Sequence, residues 1–375
     1  MNALRAEYRI HHPEKILSPG FVVFRELVEH NLNTMIEIAG DVGRLRPHCK
    51  THKMPELTKL QLAAGITKQK AATFAESEML ADVGVKDIFL AYNLVGPNIA
   101  RGVNFRTKYP DVRFAVTADD PASITQLGEA MTASGTEIDV LLDVNPGRDR
   151  TGRPVGDEAY ELYKQLAETP GINPAGFHLY DGHLHDSELK DRQAAVEEYW
   201  ALISAFKDRL EADGYPVPKI VCGGTPTFQA YAPMTDPVIE LSPGTCTFHD
   251  VGYDAAYPDL QVFTPAAAVL TRVISRPTEN RVTFDVGTKG VASDPPMGQR
   301  VYLPELPKGK QVLQNEEHLV IESDDAGKFQ PGDWTLAFPR HVCPTSALYK
   351  EATVIADGEI VGHWEVVARD RCITI

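Results

Sequence analysis

The chain has 375 residues, 43% of them hydrophobic, and sets 52 acidic against 37 basic side chains for a formal net charge of -15. That length exceeds the usual single domain, so two domains with real cores are expected, and the acidic balance argues against nucleic acid and anionic membrane as partners. No apolar run is long enough to span a bilayer, and Met1 to Glu7 contain no apolar stretch of the signal-peptide kind. In chain order, Ser18 to Phe24 reads as a first strand and Arg25 to Ile38 as a helix with apolar residues near helical spacing. Pro55 to Ala64 suits a helix that stops at Gly65, Gln69 to Thr73 is strand-like, and Glu76 to Val83 is helical up to Gly84. Strand patterns recur at 87–91, 113–117, 139–144, 176–180, 219–222 and 238–241, with helical stretches at 120–133, 157–168 and 187–210 between them. About eight strands interleaved with seven or eight helices is the period of a (β/α)8 barrel, with a doubly wound open sheet as the alternative.

The character changes near Phe263. From there strands dominate, at 266–275, 281–285, 318–322, 334–338, 352–356 and 359–367, separated by turns such as Pro331-Gly332-Asp333 and Asp357-Gly358. The expected organisation is a barrel over about residues 20–255 and a β-rich domain over 256–375 that also takes 1–19, with Ala6 to Ile10 strand-like. Five cysteines, widely spaced and odd in number, read as reduced thiols of a cytoplasmic protein. GxGxxG, Walker, HExxH and GxSxG signatures are absent.

Several stretches carry candidate chemistry. Arg46-Pro47-His48-Cys49-Lys50-Thr51-His52-Lys53 is basic in an acidic chain, and in an extended strand Arg46, His48, Lys50 and His52 would share one face. A lysine crowded by cations loses its proton more readily and becomes a better amine nucleophile, which makes Lys50 or Lys53 a Schiff-base candidate. A solvated basic strand end is the plainer alternative. Two turns, Cys222-Gly223-Gly224-Thr225 and Ser242-Pro243-Gly244-Thr245, follow strands and offer backbone N–H groups and hydroxyls suited to a phosphate. Asp143 to Gly152 leaves a strand with Arg148 and Arg150, either of which could clamp an anion. Tyr180-Asp181-Gly182-His183-Leu184-His185 follows another strand, so His183 and His185 could ligate a metal or flank a cofactor ring. His341-Val342-Cys343 would place imidazole and sulfur on one face of extended backbone, a pair that suits zinc.

Taken together, Arg46 to Lys53, Tyr180-Asp181-Gly182-His183, Gly223-Gly224-Thr225-Pro226, Pro243-Gly244-Thr245, Asp285 to Lys289 and His341 to Thr345 resemble the D-threonine aldolase and D-serine dehydratase family. The resemblance implies a fold-type III enzyme: a TIM-like (β/α)8 barrel of the alanine racemase N-terminal type plus a C-terminal β domain. It implies pyridoxal 5'-phosphate on Lys50 rather than Lys53, with Arg150 and Tyr180 near the cofactor and Gly223, Gly224, Thr225, Gly244 and Thr245 around its phosphate. A divalent metal (manganese, magnesium or zinc) would sit on His341 and Cys343, and Lys50, His183 and His185 are the candidate catalytic groups. The implied activity is cleavage of a D-β-hydroxy-α-amino acid, as a D-threonine aldolase. D-serine dehydratase and 3-hydroxy-D-aspartate aldolase are the alternatives, and a non-catalytic pyridoxal phosphate carrier ranks last because such carriers lack the β domain. The resemblance also implies a head-to-tail homodimer. This chain has extra residues in the Asp143 to Gly152 turn, which leaves Arg148 beside Arg150, and Arg340 stands where asparagine is common.

Overall fold

A computed structural model describes residues 6–375. The chain forms two compact units: Met35–Lys50, Thr58–Gly244 and Asp370–Ile375 make one, and residues up to Thr34 with Thr51–Leu57 and Thr245–Arg369 make the other.

Among the described residues, the first unit contains seven parallel strands in sequential order: β2 (Lys68–Ala71), β3 (Asp87–Asn93), β4 (Arg113–Ala118), β5 (Ile138–Val144), β6 (Ile172–Leu179), β7 (Ile220–Cys222) and β8 (Ile239–Leu241). Strand β1 (Gly20–Phe24) is not among them. The two edges are bridged by the basic stretch: Leu45 pairs in parallel with Leu241 and His48 with Lys70. Arg46 N–H donates to the Leu241 carbonyl, and Lys70 N–H donates to the Pro47 carbonyl. The sheet therefore curls into a TIM-like barrel whose eighth stave is Leu45 to His48, a correction to the reading of Ser18 to Phe24 as its first strand. The barrel interior is filled by Phe89, Ala115, Leu141, Ala175 and Val221, one from each of β3 to β7, as expected where parallel strands are covered on both faces.

Helices return the chain between strands, and local chemistry sets their ends. Thr73 caps Phe74–Asp82 by accepting from Glu76 N–H, while the Glu76 carboxylate reaches back to the Ala72 N–H, one residue before the cap, a relative of the capping box. Asp120 caps Pro121–Ser134, and Gly135 ends it at φ +68°. A helix at Pro97–Lys108 has no counterpart in the sequence reading; its buried face is the narrow stripe Ile99, Gly102 and Phe105 in a largely polar segment.

The second unit is built on a mostly antiparallel sheet. Its strands are β9 (Ala267–Thr278), β10 (Arg281–Phe284), β11 (Val301–Tyr302), β12 (Lys310–Gln314), β13 (Leu319–Glu322), β14 (Trp334–Pro339), β15 (Glu351–Ala356) and β16 (Glu359–Glu365), together with β1. The main order is β12-β13-β10-β9-β1-β15-β16, and β14 pairs with β9 and β11. Strand β1 lies parallel to β15 and antiparallel to β9. All but one of its residues are buried, so it behaves as a central strand. The core gathers Tyr8, Val22, Phe24, Leu270, Leu336 and Phe338. Ala6–Tyr8 is a 3-10 turn rather than a strand, and Tyr8 still packs edge-on against Phe24 and Phe338.

Candidate active site

The chemistry of the barrel unit gathers where its strands end. Lys50 lies in the 3-10 turn Cys49–Thr51, so the extended backbone expected through His52 stops at His48. The turn is held locally: Lys50 N–H donates to His48 Nδ1 at 3.3 Å, and the Cys49 thiol donates to Glu76. This turn separates the four basic side chains that strand alternation would have put on one face. Arg46 is fully buried, its Nε 2.5 Å from Glu240 and its Nη1 2.8 Å from Asp87. His52 is fully buried, and burial pushes its imidazole down to about 3. Lys50 turns instead towards Tyr180, with Nζ 5.9 Å from the ring centroid.

Tyr180 is the centre of this group. The Arg150 guanidinium carbon stands 4.5 Å from the same ring centroid, while Arg148 lines the rim of a small depression with Arg150, Asp143 and Tyr180. The ring folds back over its own chain because position 182 is glycine: a Cβ there would lie 2.5 Å from the ring atoms. Gly224 approaches the ring as well, where a Cβ would stand 3.4 Å away, and Gly223 adopts φ +67°. Asp181 is buried below this turn and accepts from the Thr227 hydroxyl at 2.8 Å. Burial raises its carboxyl above the ordinary range. Thr225 accepts the Gly244 N–H at 3.2 Å, which ties the two glycine turns together. His183 lies over Gly147 and its Nδ1 is buried without a partner, whereas His185 is exposed.

Three buried groups at this end of the barrel were not singled out from the sequence. Lys70 Nζ is 2.9 Å from His178 Nε2, and His178 Nδ1 is 2.7 Å from Asp143. A polar side chain at the end of a largely apolar strand was the available signal for Asp143 in β5 and His178 in β6, whereas β2 reads Lys-Gln-Lys-Ala and gives no such contrast for Lys70.

The other unit carries the His341–Cys343 pair. His341 has extended backbone and occupies the N-cap position of the short helix Val342–Ser346 without a side-chain capping bond, so the pair straddles a helix start instead of lying on one strand. Asp294, also missed from sequence, stands 2.5 Å from His341 Nδ1. Burial lowers the proton affinity of His341, but Cys343 and Asp294 outweigh it and push the imidazole up to about 9. Cys343 Sγ is 3.2 Å from the Thr51 hydroxyl and 3.6 Å from that of Thr245. Thr245 thus belongs to this unit, while Gly244, next in the chain, belongs to the barrel. The buried Asp250 carboxylate accepts the Val342 N–H at 3.0 Å and fixes the backbone between the pair.

The residues present fit both groups that the sequence pattern implies. The Ser242 hydroxyl is buried without a partner next to the second glycine turn, and Gly224 leaves open beside Tyr180 the space a side chain would fill. Such a lysine-bearing, glycine-lined cradle suits an aromatic aldehyde phosphate. With Asp294 on its Nδ1 and Cys343 acting on the same imidazole, His341 forms with that thiol a nitrogen–sulfur pair that matches a borderline-soft divalent ion.

This fold with a lysine at the barrel mouth is the alanine racemase-like class, whose members depend on pyridoxal phosphate. The alanine racemase N-terminal domain profile matches residues 25–250, and a serine dehydratase domain profile matches 266–355. The chain belongs to this family, among whose members are lyases: aldolases and dehydratases. The D-threonine aldolase of Arthrobacter sp. is 30% identical over 362 residues, 95% of this chain and 93% of that protein. The D-threo-3-hydroxyaspartate dehydratase of Delftia sp. is 26% identical, over 93% of this chain and 96% of its own. The crystal structure of D-threonine aldolase from Filomicrobium marinum superposes with a TM-score of 0.86 at 27% identity, covering 94% of this chain and 96% of that one. Solved forms of the D-threo-3-hydroxyaspartate dehydratase include a His-to-Ala variant and a metal-free Cys-to-Ala variant, substituted two positions apart.

Proposed function

We propose that this protein is a pyridoxal phosphate- and divalent metal-dependent D-threonine aldolase that cleaves D-β-hydroxy-α-amino acids to glycine and an aldehyde. The observation that carries the reading is Lys50 placed with Arg150 against the Tyr180 ring, in a chain 30% identical to such an aldolase over 95% of its length. Pyridoxal phosphate, when bound, supplies an electron sink at the substrate Cα, and a divalent ion supplies a Lewis acid for its β-hydroxyl.

The chain's own residues would divide the remaining work. Lys50 would hold the cofactor through its amine and release it to the incoming substrate amine. Tyr180 offers a flat ring to the cofactor, and Arg150 stands over that ring in a cation–π contact. Gly223, Gly224, Thr225 and Gly244 would direct N–H and O–H groups at the phosphate, with Thr245 next in the chain. His341 and Cys343 would hold the metal, and Asp294 orients the imidazole for it. His183 or His185 would take the proton from the β-hydroxyl; the buried, unpartnered Nδ1 of His183 favours the former.

A second reading, D-serine dehydratase, draws on the thiol of Cys343 and on the His and Cys variants solved for the D-threo-3-hydroxyaspartate dehydratase. In that route Lys50 would take the α-proton. 3-Hydroxy-D-aspartate as the aldolase substrate is supported by a relative from Paracoccus denitrificans, 25% identical over 95% of this chain. One assay separates them: incubation with D-threonine, 3-hydroxy-D-aspartate and D-serine, with glycine, aldehyde, ammonia and oxo acid measured. Glycine and aldehyde in equal amounts are expected, with D-threonine the better substrate. Ammonia from D-serine exceeding aldehyde from D-threonine would transfer the function to the dehydratase. A Lys50→Ala protein that kept the visible Schiff-base band would remove the cofactor assignment altogether.

A further inference from the structure

The barrel holds a second lysine that the reading above does not use. Lys70 is on β2, and its backbone pairs with His48, two residues before Lys50, through the parallel bridge that closes the barrel. Its side chain is 5% exposed and ends in a relay across the barrel interior, Nζ to His178 Nε2 at 2.9 Å and His178 Nδ1 to Asp143 at 2.7 Å. A carboxylate at Nδ1 fixes the imidazole tautomer with the proton on that nitrogen. Nε2 is then an acceptor, and the lysine must donate to it. Phe89 of β3 closes one side, 5.8 Å from Nζ and 5.3 Å from the His178 ring. The relay leaves Lys70 with further N–H or lone-pair capacity that His178 does not occupy.

The groups facing Lys70 are unequal in sign. Lys50 and Arg150 repel its charge, Asp143 and Asp181 attract it, and burial opposes it most of all; together they push its ammonium down to about 7. His178 is held neutral, with burial first and Lys70 second pushing it down to about 4. Burial raises the Asp143 carboxyl, but His178, Thr151 and Lys70 outweigh it and keep it below the ordinary range. Lys70 is buried, and the half-buried Lys50 lies two residues beyond the His48 to which Lys70 is bridged, so the two amines cannot both hold a proton cheaply.

We propose that Lys70, anchored by His178 and Asp143, is a positioning residue that acts through Lys50, its charge setting the proton affinity of the nitrogen that carries the cofactor. The proposal rests on Lys50 bearing pyridoxal phosphate. A cation on Lys70 disfavours a cation on the Lys50 nitrogen, so acid conditions weaken the hold of that nitrogen on its proton. Above neutral pH the amine of Lys70 is uncharged and the constraint lifts.

The test is a pH titration of the visible band of the holoenzyme, which reports protonation of the Lys50 nitrogen independently of turnover. The wild-type curve should spread over clearly more than the roughly two pH units of a single proton, because the two nitrogens titrate as a coupled pair. Lys70→Met should give one simple step moved upward, and Lys70→Arg, a permanent cation, one simple step moved downward, with the two midpoints at least about one pH unit apart. Equal midpoints in the two variants would overturn the proposal, leaving Lys70 a merely structural member of the relay. If neither variant folds, the wild type decides: a sharp one-proton curve overturns the coupling and a broad one supports it. Absence of any visible band in the wild type would defeat the cofactor assignment on Lys50, a failure distinguishable from that of the Lys70 proposal.

Discussion

Closure of the barrel depends on one buried ion cluster, and its strength can be measured. Arg46 sits in the stave between β8 and β2, with Glu240 on Nε at 2.5 Å and Asp87 on Nη1 at 2.8 Å, while Lys68 reaches the other Glu240 oxygen at 2.7 Å. Burial alone would raise the Glu240 carboxyl, but Arg46 and Lys68 outweigh it and hold it down to about 2, against an ordinary 4.5. A drop of that size corresponds to about 3 kcal/mol of linkage at neutral pH, since each unit is worth about 1.4 kcal/mol. The side chain is only 11% exposed, so solvent screening removes little of it. Because the folded value is depressed, the contribution is complete above the unfolded value near 4.5 and is lost as pH falls towards 2. Glu240→Gln should therefore cost about 3 kcal/mol in urea unfolding at pH 7, and the cost should shrink below pH 4 until the two proteins converge. A cost under about 1 kcal/mol at pH 7, or one that stays constant down to pH 2.5, would refute the reasoning.

Two further substitutions probe the two halves of the chemistry. Gly182→Ala places a methyl group 2.5 Å from Tyr180 ring atoms, so the ring must move; cofactor affinity, read by absorbance titration, should fall at least about tenfold, and unchanged affinity with the fold retained would show that Tyr180 does not seat the cofactor. Asp294→Ala frees His341 Nδ1 and should weaken manganese or zinc binding by about 10- to 100-fold in calorimetry, with the visible band unaffected; metal affinity equal to wild type would remove Asp294 from the metal site.

Much of the architecture is local and was therefore legible. The strand at Ile138–Val144 and the helix at Asp157–Glu168 follow from apolar runs and helical spacing within the segments themselves. The motif residues around Lys50, Tyr180 and the glycine turns could be named because turn chemistry and side-chain type are written in short stretches. Strand β12 escaped because it buries none of its side chains and so carries no alternation. Strand β1 was recognised as a strand but put in the wrong sheet, since an all-apolar GFVVF run satisfies either core and only pairing with β15 and β9 decides between them. The basic stretch was misread for a related reason. Alternation predicts one shared face only while the backbone stays extended, and hydrogen bonds from the Cys49 thiol to Glu76 and from the Lys50 N–H to His48 Nδ1 hold the turn that bends it after His48. The partners that give buried charges their meaning lie far away along the chain: Arg46 and Glu240 are 194 positions apart, and Lys70 and His178 are 108. Sequence alone determines which residues carry chemistry, because that is a property of the side chain. Which of them is silenced by an ion pair, left neutral by burial or turned towards Tyr180 is decided by the tertiary structure, because electrostatic and desolvation energies depend on distance in space rather than along the chain.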